Sequence, residues 1–184
     1  MVLFTTHPEL RGGTIRFNTL SGELQARWQD GMVALNFPIM EPEPAVVNPE
    51  VEKALGISLQ TAVHSGDYYL FEAVDAAAVR SLTPDFYALA QCPTTEVIVT
   101  AISDDPGFDF ISRFFAPRLG INEDPVTGSA HCLLAPFWAE KLQRTSFRAF
   151  QASARGGVLR VQVQGERVEL IGAASFIFKG DLLV

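Results

Sequence analysis

Length, composition and charge exclude several classes of protein. The chain has 184 residues, of which 48% are hydrophobic and 19% are charged, so it can bury the core of one large or two small domains. Its 14 basic and 21 acidic residues give a formal net charge of −7, which argues against nucleic acid or an anionic membrane as a partner. Neither a signal peptide nor an apolar run of about 18 residues occurs, so the sequence predicts a cytoplasmic protein.

The cysteine content argues against a disulfide framework and a metal site. Cys92 and Cys132 are too few for such a framework, and they lack metal-ligand spacing with the three histidines. Each is expected to be a small buried hydrophobic residue.

The first forty residues predict a β-meander. Residues 14–18 and 24–28 alternate apolar and polar side chains, as half-buried strands do, and a third strand is predicted at 32–37. Turn sequences at Ser21-Gly22 and Asp30-Gly31 separate them. The following run, 38–49, contains four prolines and reads as an extended connector, so a domain boundary is predicted near residue 42.

The middle of the chain mixes strands with short helices. Asn48 caps a predicted helix that has Pro49 at its first position and Gly56 past its end. Further helices are predicted at 76–82 and 84–91, and strands at 61–65, 68–74, 97–102, 108–115, 146–153, 158–164 and 167–171. Because helices and strands do not alternate regularly, the pattern disfavours a parallel α/β sheet.

The stretch 120–142, GINEDPVTGSAHCLLAPFWAEKL, predicts a helix with a polar start. Asp124-Pro125 breaks any preceding element, and Thr127 is the expected N-cap. The next three residues would present backbone N–H groups without intrahelical partners at the positive end of the helix dipole: Gly128, Ser129 and Ala130. Such an end binds carboxylate or phosphate. The alternative is that Asp124 and Thr127 only cap the helix.

The body of this helix predicts burial on almost all sides. Its apolar residues cover most of the circumference and include Leu133, Leu134, Phe137, Trp138 and Leu142. Pro136 removes the N–H that would otherwise bond to the Cys132 carbonyl. We therefore expect an α+β fold in which a curved or barrel-like sheet surrounds the central helix, 127–142.

Residues 113–138, RFFAPRLGINEDPVTGSAHCLLAPFW, closely resemble the second-lobe signature of the phenazine-biosynthesis (PhzF-like) isomerases, which share the diaminopimelate epimerase fold. Matching segments elsewhere are FNTLSGEL, ALNFP, FDFISRFF and QASARGG. The resemblance implies a mostly antiparallel, strongly curved sheet around the central helix, plus an incomplete first lobe. Residues 1–42 would be a remnant of that first lobe, 43–172 the second lobe, and 173–184 a C-terminal strand returning to the first lobe.

The same resemblance implies a site and a reaction. Asp124 would be the catalytic, proton-handling contact. The helix start, Thr127 to Ala130, would bind a small carboxylate through the backbone of Gly128 and Ser129, without metal or organic cofactor. His131 and Arg155 are weaker substrate-binding candidates, because a core histidine and a tight Gly-Gly turn explain them equally simply. The family also tends towards homodimers, so the resemblance implies a homodimer here.

Two features of the family pattern limit the expected activity. The acid/base glutamate and the Gly-His-Ala-Thr motif that precede the FNT hairpin in the family do not occur here, so we expect the chain to be inactive alone. Pro125 occupies the place of an epimerase thiol, which disfavours a two-cysteine mechanism. The alternatives are a non-catalytic protein that binds small anions or a partner, and a non-functional remnant prone to aggregation.

Overall fold

A computed structural model describes residues 1–20, 22–178 and 180. Its strands are β1 (Thr14–Thr19), β2 (Gly22–Gln29), β3 (Met32–Pro38), β4 (Glu43–Ala45), β5 (Leu59–Ser65), β6 (Tyr68–Ala73), β7 (Glu96–Ile102), β8 (Phe110–Phe115), β9 (Ser146–Gln151), β10 (Gly157–Gln164) and β11 (Arg167–Gly172). Its α-helices are α1 (Val2–Thr6), α2 (Pro49–Leu55), α3 (Ala76–Ser81), α4 (Phe86–Gln91) and α5 (Gly128–Leu142). The predicted meander, the helix after Asn48 and the central helix are all present.

All eleven strands belong to one sheet in the order β1-β2-β3-β11-β10-β9-β8-β7-β6-β5-β4. Only the β6–β7 and β8–β9 pairs are parallel, which confirms a mostly antiparallel sheet. The barrel-like alternative is wrong, because closure requires the first and last strands to pair and β1 and β4 lie at opposite ends of the order. The β1–β3 end of the sheet packs against α1, whereas α5 packs against β6, β10 and β11.

The central helix α5 lies against one face of the sheet. Residues of β6, β10 and β11 that contact the same helix include Leu70, Val161 and Leu170, so the strands between them curve around it. Leu133, Leu134 and Ala135 are fully buried. The opposite face of β5–β8 is covered by α2, α3 and α4, since side chains alternate between the two faces along each strand.

Pro136 lies within α5 and leaves the Cys132 carbonyl without a helical donor, as predicted. The backbone N–H of Met40 donates to that carbonyl over 3.0 Å. The connector after β3 is thereby attached to the central helix. The proline that weakens the helix creates the acceptor for this attachment.

The N-terminal region, residues 1–38, contains α1 and β1–β3. Phe4 of α1 packs against Ala26 and Val33 in a small separate core. Because β3 pairs with β11, this region shares one sheet with the central-helix region, residues 59–172. The boundary near residue 42 stays a prediction.

Residues 173–178 contain no strand, and the rest of the predicted C-terminal strand lies outside the described residues except for Gly180. In the part of the chain described, no helix is both long and apolar enough to cross a bilayer.

Candidate functional site

The loop that enters α5 is held by the buried side chain of Gln151, at the end of β9. The Gln151 Oε1 accepts the backbone N–H of Thr127 over 2.8 Å, and Nε2 donates to the Asp124 carbonyl over 2.7 Å. The same Nε2 lies 3.2 Å from Thr127 Oγ1. Only 1% of the Gln151 surface is exposed, so its hydrogen bonds hold the loop in one conformation. Sequence reasoning missed it, because its partners are more than twenty residues away.

Thr127 is the N-cap residue by position, as predicted, but its side chain does not cap the helix. Its hydroxyl donates to Asp124 Oδ2 instead. Within residues 1–20, 22–178 and 180, no hydrogen-bond acceptor contacts the backbone N–H of Gly128, Ser129 or Ala130. The positive end of a fifteen-residue helix therefore keeps its donors open.

Gly128 borders a pocket of about 250 Å³. Its wall is formed by Leu159 and Leu170 from the central-helix region and by Met1, Val33 and Leu35 from the N-terminal region. A groove of about 500 Å³ adjoins it and is lined by Val126, Arg155 and Gly157, with Leu159 common to both. The open helix end thus borders a pocket between the two regions, and this pocket shares Leu159 with the neighbouring groove.

Asp124 is fixed in both backbone and side chain. Its N–H donates to the Phe114 carbonyl over 3.1 Å, its carbonyl accepts from Gln151, and its carboxylate accepts from Thr127. The residue is half-buried beside the helix start. The carboxylate that the sequence predicts as the proton-handling group is thus held beside the start of α5.

Ser129 has a partner that the sequence did not indicate. The Tyr68 phenol, at the first residue of β6, donates to Ser129 Oγ over 2.9 Å. Tyr68 directly follows the predicted Gly66-Asp67 turn, but no local pattern reveals which helix the strand will face. The Tyr68 ring also packs against Phe114, with ring centroids 6.2 Å apart.

His131 lies in the core beneath the first turn of α5 and not at its open end. Its exposed fraction is 0%, its ring lies near Phe110, and Nδ1–H donates to the Thr127 carbonyl over 2.7 Å. Burial lowers its pKa to about 4, so the ring is neutral near pH 7. The structure therefore does not bring His131 into contact with a ligand at the surface, because the ring is enclosed in the core beside Phe110.

The two arginines near the signature motif have different environments. Arg155 is exposed in the tight turn before β10 and lines the groove beside Val126. Arg113 is buried and forms a bidentate ion pair with Glu123, at 2.7 and 3.0 Å, while also donating to the Leu82 carbonyl. Arg113 is thus a structural residue, whereas Arg155 is free to approach a bound anion.

Both cysteines are buried, as the sequence predicted. Burial raises the pKa of the Cys132 thiol to about 12 and also raises that of Cys92. A neutral, enclosed thiol is neither a base nor a nucleophile at neutral pH. This geometry agrees with the prediction that a two-cysteine mechanism does not apply.

The turn that carries Arg155 packs closely on the site loop. A methyl group placed on Gly157 would lie 2.0 Å from Val126 Cγ2, so only glycine permits this approach. Ser153 donates to the Pro125 carbonyl over 2.8 Å and accepts the Gly156 N–H over 3.1 Å. The glycine pair of QASARGG thus allows the turn to pack closely against the site loop.

Comparison with known proteins identifies relatives along the whole chain. A family model described as phenazine biosynthesis-like protein matches residues 1–180. An uncharacterized isomerase of Pseudomonas aeruginosa is 43% identical over 98% of this chain and 68% of the relative. An uncharacterized isomerase of Halalkalibacterium halodurans is 42% identical over 92% of the chain and 64% of the relative. The chain therefore spans about two thirds of the length of these relatives.

Solved structures agree with the sequence matches. A PhzF family protein of Enterococcus faecalis superimposes with a TM-score of 0.90 at 38% identity, covering 100% of this chain and 70% of that one. A putative phenazine biosynthesis PhzC/PhzF protein of Clostridium difficile gives a TM-score of 0.85 at 27% identity, with 99% and 70% covered. The open helix end, the signature motif and these matches lead to one conclusion: the chain belongs to the phenazine biosynthesis-like, or PhzF, family, whose members include proteins named isomerases.

Proposed function

We propose that this chain binds the carboxylate of a small organic acid at the start of α5, as part of a cofactor-independent isomerase of the PhzF type. The observation that carries the proposal is the set of open N–H groups at Gly128, Ser129 and Ala130 beside the pocket. Open donors and the helix dipole together favour an anion there. The apolar wall formed by Leu159 and Leu170 would contact the carbon skeleton of the ligand.

In this proposal Asp124 is the proton-handling contact and Arg155 a second partner for the ligand's negative charge. Thr127 and Gln151 hold the Asp124 carboxylate and backbone in one position. Arg155 lies in the groove that shares Leu159 with the pocket, where its guanidinium could pair with a second acidic group of the ligand. His131 has only the indirect role of fixing the Thr127 carbonyl.

A proton shift needs one group to remove a proton and one group to return it. At the start of α5, the described residues offer one carboxylate for this chemistry, that of Asp124. A single acid/base group favours the second candidate function, a protein that binds small anions without turnover. We therefore expect this chain alone to bind carboxylates and to exchange protons slowly or not at all.

Binding is tested by following the backbone amides of the first turn of α5 by NMR while acetate, benzoate and an amino acid are added. A ligand should shift the amides of Gly128 and Ser129 first. The Gly128→Val variant should lose binding, because the added side chain enters the pocket. Gly12→Val is the matched control, since nothing lies within 4 Å of a methyl group there and Gly12 does not line the pocket. Binding that survives in Gly128→Val would contradict the proposal.

Isomerase chemistry is tested by proton exchange in deuterated water. A panel of small cyclic acids and amino acids is incubated with this chain and, separately, with the longer Pseudomonas aeruginosa relative. Exchange at a ligand carbon with the relative, and loss of exchange when its residue equivalent to Asp124 is replaced by Asn, would support the PhzF-type reaction. Anion binding here without exchange in either protein would favour the non-catalytic alternative.

A homodimer formed through the sheet edge is the proposed assembly. Among the described residues, one edge of β1 has no neighbouring strand, and Phe17 on this strand is 40% exposed. Such an edge pairs readily with a second copy. Light scattering at increasing concentration should give the mass of a dimer, and Phe17→Lys should shift the mass towards that of a monomer. A monomer at high concentration would contradict this assembly.

A further inference from the structure

We propose that Tyr68 is a positioning residue that directs the hydroxyl proton of Ser129 towards a bound carboxylate. The inference rests on the proposed function and adds to it a side-chain donor that neither the motif nor the relatives assign. It concerns a residue of β6, more than sixty positions before the helix it serves.

The argument begins with the protons of the two hydroxyl groups. A serine hydroxyl has one proton to donate and two lone pairs to accept. Because Tyr68 donates to Ser129 Oγ over 2.9 Å, one lone pair is occupied and the serine proton is free for another acceptor. Within residues 1–20, 22–178 and 180, no acceptor takes that proton. The usual competitor in a helix is the carbonyl four residues earlier, at Pro125, and here it accepts from Ser153.

The phenol is held in place by its surroundings. The Tyr68 ring packs against Phe114 and its hydroxyl is part of a half-buried contact. Burial raises the pKa of Tyr68 above its ordinary value, so the phenol keeps its proton at neutral pH and acts as a donor. A fixed donor costs no reorganisation when the ligand arrives.

Glu96 is the second group beside the phenol. It is the first residue of β7 and lies opposite Tyr68 in the parallel pair, near enough for its carboxyl group and the phenol to affect each other's pKa. Since a phenol has one proton, an ionised Glu96 competes with Ser129 for it. Glu96→Gln provides an amide that can donate to the phenol oxygen, which commits the phenol proton to Ser129.

In this proposal two hydroxyl groups donate in sequence towards a carboxylate that is also bound by the open N–H groups. Tyr68 donates to Ser129, and Ser129 donates to the carboxylate that Gly128 and Ser129 also contact through their N–H groups. A hydrogen bond to a charged acceptor is stronger than a neutral one, and each donor in a chain polarises the next. Tyr68 therefore contributes to affinity without touching the ligand.

The test is a double-mutant cycle with acetate as the probe, read from the NMR shifts of the α5 amides. Tyr68→Phe keeps the ring and removes the hydroxyl, and it should weaken acetate binding about three- to tenfold. Ser129→Ala should weaken binding at least as much, and adding Tyr68→Phe to it should cause little further loss. Tyr69→Phe is the matched control, because Tyr69 is the neighbouring residue and stacks on His64 and Phe71 on the other face of the sheet. Glu96→Gln should retain or strengthen binding.

The outcomes separate the two proposals. If the unaltered chain does not shift with acetate, the carboxylate-binding function fails and this inference fails with it. If the unaltered chain binds acetate but Tyr68→Phe binds equally well, only the role of Tyr68 is overturned. Fully additive losses in the double variant would also overturn it, because they would mean that Tyr68 does not act through Ser129. Thermal unfolding of each variant shows that the fold is intact.

Discussion

The two ends of the sheet differ in what covers them. In the central-helix region, β6–β11 curve around α5, and Leu134 at the centre of that helix is fully buried. In the N-terminal region, β1–β3 are covered by the five-residue helix α1 and a short 3-10 helix, Pro8–Gly12, and Phe17 remains 40% exposed. One continuous sheet is therefore well buried at its central-helix end and only partly buried at its N-terminal end.

The difference teaches that alternation of apolar residues reports which face a side chain points to, but not whether anything covers that face. Ile15 and Phe17 on β1 alternate with polar residues as regularly as Leu159 and Val161 do on β10, which packs against α5. A helix of fifteen residues covers the second pair, whereas α1 covers the first only in part. The pocket at Gly128 lies where the two regions meet, so its wall depends on both.

The largest expected effect is on core stability. Leu134→Ala should lower the free energy of unfolding by about 2–5 kcal/mol, because it leaves a cavity among residues that cannot collapse. Phe17→Ala should cost less than about 1 kcal/mol, since its side chain already contacts solvent. Chemical denaturation of both variants measures the difference. Equal losses at the two positions would mean that the N-terminal region is as well packed as the central one.

The next effect is a pH dependence that belongs to the central-helix region. Burial lowers the pKa of His131 to about 4 from 6.5, so below pH 6.5 the unfolded chain binds a proton that the folded chain does not. The free energy of unfolding should therefore fall as the pH drops from 6.5 towards 4, by about 3 kcal/mol in total, while the contribution is constant above pH 6.5.

His131→Asn should remove this loss while keeping a donor for the Thr127 carbonyl. The matched control is His7→Asn, because His7 is exposed in the N-terminal region and its ring hydrogen-bonds to the exposed Glu9. Urea unfolding of the three proteins between pH 4 and pH 8 gives the comparison. Parallel pH profiles for His131→Asn and the unaltered chain would show that the ring is not buried as a neutral group.

Local sequence signals predicted the elements well. Asn48 accepts the Glu50 N–H as a cap, and Gly56 ends that helix in the left-handed conformation, with φ at +72°. The central helix begins after Thr127 as expected, and the Met40 contact explains what occupies the carbonyl freed by Pro136. These features succeed because each depends on a few neighbouring residues whose chemistry allows one backbone path.

Long-range features could not be read in the same way. The sequence led us to expect a barrel-like closure, but nothing local tells whether β1 meets β4. Thr127 was the expected N-cap, yet its hydroxyl donates to Asp124, and its backbone N–H donates to Gln151, more than twenty residues later. Tyr68 was missed for the same reason. The partners of the site come from strands whose register is set by the whole core.

A smaller effect on stability is expected from adding a methyl group at Gly157, which contacts the site loop, than at the core positions above. Gly157→Ala should lower the free energy of unfolding by about 1–3 kcal/mol, because the new methyl group overlaps Val126 and forces the site loop to move. Gly12→Ala should be tolerated, since its surroundings are open. Thermal unfolding measures stability, and the NMR shifts of Val126 and Gly128 show the displaced loop. An unchanged loop in Gly157→Ala would mean that the turn and loop are not in firm contact.

The smallest expected effect concerns the connector that joins the two regions. Pro136→Ala restores an N–H that can bond to the Cys132 carbonyl, which now accepts from Met40. The gain in helix propensity and the loss of the half-buried ring oppose each other, so the free energy of unfolding should change by less than about 1 kcal/mol. The local consequence should be clearer than the global one. Because the carbonyl then has two donors, the Met40 amide should exchange with deuterium faster, while amides of β3 such as Leu35 keep their rate. An unchanged rate at Met40 would show that the connector is held to α5 by its side-chain packing and not by the carbonyl that the proline leaves free.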